Sequence, residues 1–307
     1  MMTAAHLPVM VEPVLRILNP RPGERIIDAT VGLGGHAERI LRALGPDGQL
    51  IGIDRDPRML RRAEEQLRPF GGAVSLVHAR LAYLRDVVKG AGLERVDGIL
   101  MDLGLCSAQI DDLGRGFSFR QSERLVPLDM RMDQEQGETA SELLARLDEP
   151  ELAQLLRAGG VPAPRRVARA LHARLPLRTT QDLRDALRNV RLPRRRHHPA
   201  TLVFQALRIA VNNELQELEQ ALESAVELLA PGGRLAVLSY HSGEDRRVKE
   251  FLAREERGCI CPPDLPRCGC GRTPRLKIVA RGKPPNPDEV LRNPRARSAR
   301  LRGAVRW

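Results

Sequence analysis

Ile26-Ile27-Asp28-Ala29-Thr30-Val31-Gly32-Leu33-Gly34-Gly35-His36 decides how the rest of the chain is read. An apolar run ends in a carboxylate, crosses three glycines within four positions and enters the helical spacing of Ala37, Ile40, Leu41 and Leu44. This pattern predicts a buried strand, a tight turn and a helix start, the place where open α/β sheets bind nucleotide-like ligands. Glycine suits such a turn because the missing Cβ permits positive φ and lets a ligand lie against the backbone. Gln49-Leu50-Ile51-Gly52-Ile53-Asp54 predicts the next strand, with Asp54 at its carboxyl end, 20 residues beyond Gly34. A carboxylate there can accept hydrogen bonds from both hydroxyls of a ribose. Asp28, Gly32 and Asp54 are therefore candidate contacts for an adenosine-bearing cofactor. Gly32-Leu33-Gly34-Gly35-His36-Ala37 also fits the dinucleotide pattern G-x-G-x-x-A, so on this loop alone a nicotinamide cofactor stays open, as does a turn that only packs.

Working outward, the spacing predicts a short helix ending near Leu18, then a helix from Pro57 closed by Gly71-Gly72. Strands are predicted at Val74–His78 and Val96–Leu103, with a helix over Leu81–Val88 between them. Alternating strands and helices from residue 24 to 102 imply a parallel sheet with helices on its faces. After Asp102 the rhythm breaks. Residues 104–133 read as loop with Phe117 and Phe119 embedded, and residues 138–190 as several short helices without a strand. Arg191–His198 reads as a basic hinge, and one long helix is predicted from Ala200 to Leu229, stopped by Pro231-Gly232-Gly233. The sheet resumes at Arg234–Tyr240, a helix spans Asp245–Arg254, and Lys277–Ala280 is a late strand. The Pro-, Asn- and Arg-rich tail, Pro284–Trp307, is expected to lie over the surface.

Composition bounds the function. At 307 residues and 42% hydrophobic content the chain is globular, with one large domain or two ordinary ones. No apolar run reaches a membrane span, and Met1–Val14 lacks the basic segment and apolar stretch of a secretion signal, so a soluble cytoplasmic protein is expected. Net charge is +11, and with lysine only at 89, 249, 277 and 283, arginine supplies 46 of the 50 positive charges. Such a surface attracts polyanions, and arginine grips phosphate bidentately and stacks on bases. The runs Arg165-Arg166 and Arg194-Arg195-Arg196 are candidate phosphate contacts.

The fourth strand runs into Asp102-Leu103-Gly104-Leu105-Cys106-Ser107-Ala108-Gln109. In the strand order expected of a doubly wound sheet it lies beside the first, so Asp102 would face the same crevice as the glycine loop. A hydride-transfer enzyme needs a partner site with an acid or base. A methyltransferase needs only a shaped pocket and a nucleophile aligned with an electrophilic sulfonium. If the nucleophile is an exocyclic base amine, a carboxylate accepting its N–H helps localise the lone pair, and aromatic side chains can hold the extruded base. Among eight aromatic residues, Phe117, Phe119 and Tyr240 are the stacking candidates.

At these residues the chain resembles a known family. Asp28–His36, Met101–Gln109, Arg115–Phe119, Pro127–Asp133, His198–Thr201 with Phe204–Asn212, Ser239–Arg246 and Asn293–Ser298 are similar to signatures of the ribosomal RNA small subunit methyltransferase H family, in order over nearly the whole chain. The resemblance implies a Rossmann-like S-adenosylmethionine-dependent methyltransferase sheet interrupted by an inserted helical domain. Its expected boundaries are 1–133 and 199–307 for the methyltransferase domain and 134–198 for the insertion. It implies N4 methylation of a decoding-centre (P-site) cytidine in 16S rRNA, with S-adenosylmethionine as donor and the 30S subunit as partner. It leaves the oligomeric state open, a homodimer being one candidate. Carried over by position, Gly34, Gly35, His36, Asp54, Leu81, Asp102 and Gln109 would contact the cofactor. Asp102 would orient the amine or the methionine end, and His241 would be either a candidate to receive the proton lost from nitrogen or a strand-end histidine satisfied by local hydrogen bonds. Departures are Leu81 where an aromatic is common, Cys106 where serine is usual, Tyr240 where phenylalanine is usual, and Leu202 where arginine is usual.

Cys259-x-Cys261 and Cys268-x-Cys270 could together bind a structural Zn²⁺ through four thiolates, although one-residue gaps are tighter than the usual two to four. His36, His78, His172, His197 and His198 form no metal-ligand spacing. Two rival readings remain: a non-catalytic RNA-binding protein leaves the glycines and the three strand-end acids unmotivated, and a nicotinamide oxidoreductase leaves the arginines unmotivated.

Overall fold

The computed structural model describes residues 8–118, 125–190, 199–259, 261 and 269–307. Phe119, the basic run Arg191–His198 and Cys268 therefore lie outside the described residues. In chain order the elements are α1 (Val11–Leu18), β1 (Arg25–Asp28), α2 (Gly35–Leu44), β2 (Gln49–Asp54), α3 (Pro57–Leu67), β3 (Val74–His78), α4 (Leu84–Gly90) and β4 (Val96–Asp102). Six helices follow: α5 (Ser107–Asp111), α6 (Ala140–Arg146), α7 (Glu149–Ala158), α8 (Pro164–His172), α9 (Thr180–Leu187) and α10 (Pro199–Val211). The chain closes with α11 (Glu214–Leu228), β5 (Leu229–Ser239), α12 (Ser242–Arg257), β6 (Leu276–Lys283), α13 (Pro287–Arg292) and β7 (Arg300–Arg306). Two compact units result, Met1–Gly104 with Gln216–Trp307, and Leu105–Leu215.

The first unit is a seven-stranded sheet of order β3-β2-β1-β4-β5-β7-β6. Strands β1 to β5 pair in parallel, and β7 runs antiparallel to both β5 and β6. Both faces are covered, which is why the strands read as nearly unbroken apolar runs. Ile27, Ile51, Ile53, Ile99 and Val237 pack with Leu84 and Val88 of α4, α11 and α12. Their neighbours Ile26, Leu50, Leu100 and Ala236 point the other way, against α1, α2 and α3. Chain order reverses between β1 and β4, so the switch-point crevice opens at the ends carrying Asp28 and Asp102. The alternation from residue 24 implied the parallel strands with helices on both faces, and the resemblance implied the Rossmann-like sheet interrupted by helices. Among the described residues, no helix is long and apolar enough to cross a membrane.

Three expectations are corrected. The tail does not lie over the surface: Arg300–Arg306 is an inner strand, with Leu301 and Ala304 buried. Its alternating arginines hid it, and the buried Arg302 is neutralised by a two-pronged pair with Asp245, Nε to Oδ1 2.8 Å and Nη2 to Oδ2 2.9 Å. The single helix over Ala200–Leu229 is two, α10 and α11, because Asn213 turns left-handed at φ 52°. Pro231-Gly232-Gly233 is not the stop either, since β5 already begins at Leu229.

The second unit is helical around a core of its own, from Leu128 and Met130 to Val203 and Leu207. As a compact unit it runs from Leu105 to Leu215, where the resemblance implied 134–198, and Phe117, Leu128, Met130 and α10 share its core. Buried Asn212 holds them together: its Oδ1 accepts the Met132 N–H at 2.8 Å, and its Nδ2 donates to Met130 O at 2.7 Å. Met130 N–H donates to Arg115 O, and buried Arg115 donates from Nη2 to Met132 O at 2.9 Å. Gly116 sits at φ 70°, and a Cβ there would lie 2.4 Å from Pro127 O. Gly116→Ala is therefore expected to cost about 3 kcal/mol through left-handed strain plus a clash with rigid backbone, read as a lower urea midpoint.

Candidate active site

The crevice is built from the ends of three adjacent strands. Asp28 ends β1, and its side chain is 1% exposed, accepting a 3.3 Å hydrogen bond from Thr30 N–H. Burial raises its carboxyl to about 7, His36 opposes that rise, and the charges of Asp102 and Asp54 add to it. The three acids gather at one place because β2 and β4 flank β1 and the turn after Asp28 touches both, through Gly32 N–H to Asp54 and Asp102 N–H to Thr30 Oγ1. Asp54 ends β2 and takes two backbone donors, Gly32 N–H on Oδ2 and Asp56 N–H on Oδ1, both at 2.8 Å. Burial nevertheless pushes Asp54 up to about 6, the two N–H groups offsetting only part of it. A carboxylate offers about four acceptor positions, so each oxygen keeps capacity for a further hydroxyl.

The glycine loop spans from β1 to α2. Gly34 caps α2 at φ 86°, a conformation that L side chains rarely adopt. Gly32 is also left-handed, at φ 53°, which aims its N–H at Asp54. Gly35 opens α2 under the Pro8 ring. His36 is 6% exposed, and its Nε2 lies 3.5 Å from Asp102 Oδ2, a charge contact that leaves this nitrogen without a hydrogen bond. Burial favours the neutral ring, yet Asp102 and Asp28 outweigh it and raise the imidazole above its ordinary value. Leu81 stands half-buried on the short 3₁₀ turn Leu81–Tyr83 and packs against the core behind β2 and β4.

Asp102, at the end of β4, is held from three sides. Its backbone N–H donates to Thr30 Oγ1 at 2.6 Å, His36 flanks Oδ2, and the Tyr240 hydroxyl donates to Oδ1 at 2.7 Å. Burial and the Asp102 charge raise the Tyr240 phenol well above its usual range, so it remains a donor. Tyr240 is thus occupied in orienting Asp102, where its sequence position suggested only a stacking ring. For Thr30, the sequence offers no signal of this role beyond its place two residues after Asp28.

The structure ties His241 to a helix end. It caps α12, Nδ1 accepting from Gly243 N–H at 3.1 Å and Glu244 N–H at 3.3 Å, while Nε2 lies 3.1 Å from Glu244 Oε1. Glu244 in turn accepts Tyr240 N–H at 2.8 Å. Capping explains a histidine at this position without chemistry. Gln109 lies in the helical unit, 4% exposed, its Oε1 accepting Cys106 N–H at 3.0 Å. Phe117 also belongs to that unit, bordering a cavity of about 250 Å³ with Met130, Phe204 and Arg208.

The family model described as the MraW methylase family matches residues 3–306. Three relatives bear the name ribosomal RNA small subunit methyltransferase H. That of Heliobacterium modesticaldum is 46% identical over 97% of this chain and 97% of its own. That of Rubrobacter xylanophilus is 48% identical over 100% and 97%, and that of Syntrophotalea carbinolica 47% identical over 98% and 98%.

Proposed function

The chain belongs to the MraW methylase family, and from that we propose that it transfers the methyl group of S-adenosylmethionine to N4 of a decoding-centre cytidine in 16S rRNA, acting on the 30S subunit in the cytoplasm. The observation that carries this reading is the convergence of Asp28, Asp54 and Asp102 beside a glycine loop at the switch point. The names and near full-length identity of the relatives support the substrate class. An excess of arginine supports an RNA partner.

The residues present fit such a donor. Asp54 would accept from the ribose hydroxyls, Gly32, Gly34 and Gly35 would let the ligand lie against backbone, and Leu81 would pack on the adenine. Buried His36 Nε2 has an unmet hydrogen-bonding valence at the crevice. When bound, the donor supplies an electrophilic methyl group on sulfonium sulfur. Asp102 would accept an N–H of the cytosine amine, localising the nitrogen lone pair and pointing it along the transfer axis. The C–N bond would form as the S–C bond breaks, the sulfur leaving as the neutral thioether, and the acidic methylated nitrogen would then lose one proton to water. With Nδ1 engaged by two backbone N–H groups, His241 acts as a positioning residue: it caps α12, whose Glu244 accepts the Tyr240 N–H. Purified protein incubated with labelled S-adenosylmethionine and unmodified 30S subunits is expected to methylate one cytidine at N4, read by mass mapping of 16S rRNA. A label on carbon or a ribose oxygen, or none at all, would refute the substrate assignment.

A pH dependence follows from the two raised carboxyls. An acid whose folded pKa exceeds its unfolded value stabilises the fold below the unfolded pKa, and that contribution is lost as pH rises through the folded one. Asp28 and Asp54 should thus make the free protein less stable between about pH 4 and pH 7. Donor binding has the opposite slope, because hydroxyl contacts favour the ionised carboxylate. With Asp54 near 6, affinity for S-adenosylmethionine should fall about tenfold from pH 7 to pH 5 through that residue alone. Calorimetric titration across this range, with proton release measured in two buffers, checks the sign.

A further inference from the structure

The stretch joining α12 to β6 runs from 258 to 275, longer than the loops that compact domains usually leave without a fastening. Its two ends touch: Gly258, at φ 72°, is so close to the returning chain that a Cβ would lie 2.5 Å from Pro274 N. Just beyond this neck, the sulfurs of Cys259, Cys261 and Cys270 all lie within 4.8 Å of one another. The Sγ atoms of Cys259 and Cys270 are 3.8 Å apart, nearly twice the length of a disulfide bond. A tetrahedron of sulfurs at the usual Zn–S distance of about 2.3 Å has edges of about 3.8 Å.

From this geometry we propose that Cys259, Cys261 and Cys270 hold a structural Zn²⁺ that fastens the α12–β6 connection. The one-residue gap between Cys259 and Cys261 still leaves both sulfurs in reach of one ion, since each lies within 4.8 Å of the other and of Cys270 Sγ. Nearby arginine charge would offset the negative charge of a zinc–thiolate centre. Arg257 donates to Cys259 O at 3.0 Å, and Arg272 and Arg275 reach Glu255 at the foot of the loop. Zinc has no redox chemistry, and the group is placed to hold chain rather than to react. Methyl transfer and zinc binding are separate properties, so failure of either leaves the other standing.

The test is metal analysis of the full-length protein purified under reducing conditions. About one zinc per chain is expected. In the folded wild-type protein, titration of thiols with a mercurial should release that zinc to a chromogenic chelator. Cobalt grown in its place should show sulfur-to-cobalt charge-transfer absorption. Cys259→Ser with Cys270→Ser should lower zinc content about tenfold or more, while Cys106→Ser leaves it unchanged. Zinc-free wild-type protein, iron in place of zinc, a Cys259–Cys270 disulfide, or zinc retained in the double variant would each overturn the assignment.

Discussion

Asp102→Ala is expected to lower the methylation rate on unmodified 30S subunits by about 10³-fold, the middle of the range for a positioned proton-accepting group. Affinity for S-adenosylmethionine should change far less. The expectation rests on how tightly this side chain is placed. Thr30 fixes its backbone, His36 flanks one oxygen and Tyr240 donates to the other. Alanine removes the acceptor of the buried Tyr240 hydroxyl and the charge beside His36, so the loss combines transition-state orientation with local unpairing. Tyr240→Phe is the informative contrast. It deletes one donor and keeps the carboxylate, so a single-turnover rate within about tenfold of wild type is expected. Near-normal turnover by Asp102→Ala, with the protein folded and donor bound, would remove Asp102 from the reacting atoms altogether.

Asp54→Asn should weaken S-adenosylmethionine binding by about 50-fold, the worth of roughly one to two hydrogen bonds to a charged acceptor. The amide keeps the volume and one acceptor oxygen. Its NH₂ group must face either Gly32 N–H or Asp56 N–H, both of which now point at carboxylate oxygens. Part of the loss would then come from a loosened glycine loop, and a ligand analogue separates the two causes. A 2′-deoxyribose donor analogue should bind wild type more weakly than the parent, yet bind Asp54→Asn about as well as the parent does. Equal discrimination by both proteins would place the ribose elsewhere.

Legibility of the site followed the range of the interactions involved. Asp28, Asp54 and the glycines announce themselves because strand, turn and helix are contiguous, and each signal sits within a few residues. Asp102 could be assigned to the same crevice through the strand order of doubly wound sheets. The partners that set its chemistry were a different matter. Nothing local marks Tyr240 as a donor to a residue 138 positions earlier, whereas the bonds by which His241 caps α12 come from Gly243 and Glu244, two and three residues on.

Periodicity and punctuation in the chain by themselves settled the alternating strands and helices through Asp102, the helical break after it, and a family resemblance spread over seven blocks. They could do so because burial on both faces of a sheet writes itself into adjacent residues. Only the folded chain decided that Arg300–Arg306 is an inner strand, that Asn213 divides a long helix, and that the helical unit begins at 105. In each case the deciding free energy comes from a partner distant in sequence. Asp245 makes Arg302 tolerable inside the sheet, and Asn212 secures the backbone at Met130 and Met132. An arginine whose charge is met from across the fold is indistinguishable, in sequence, from one meant for solvent.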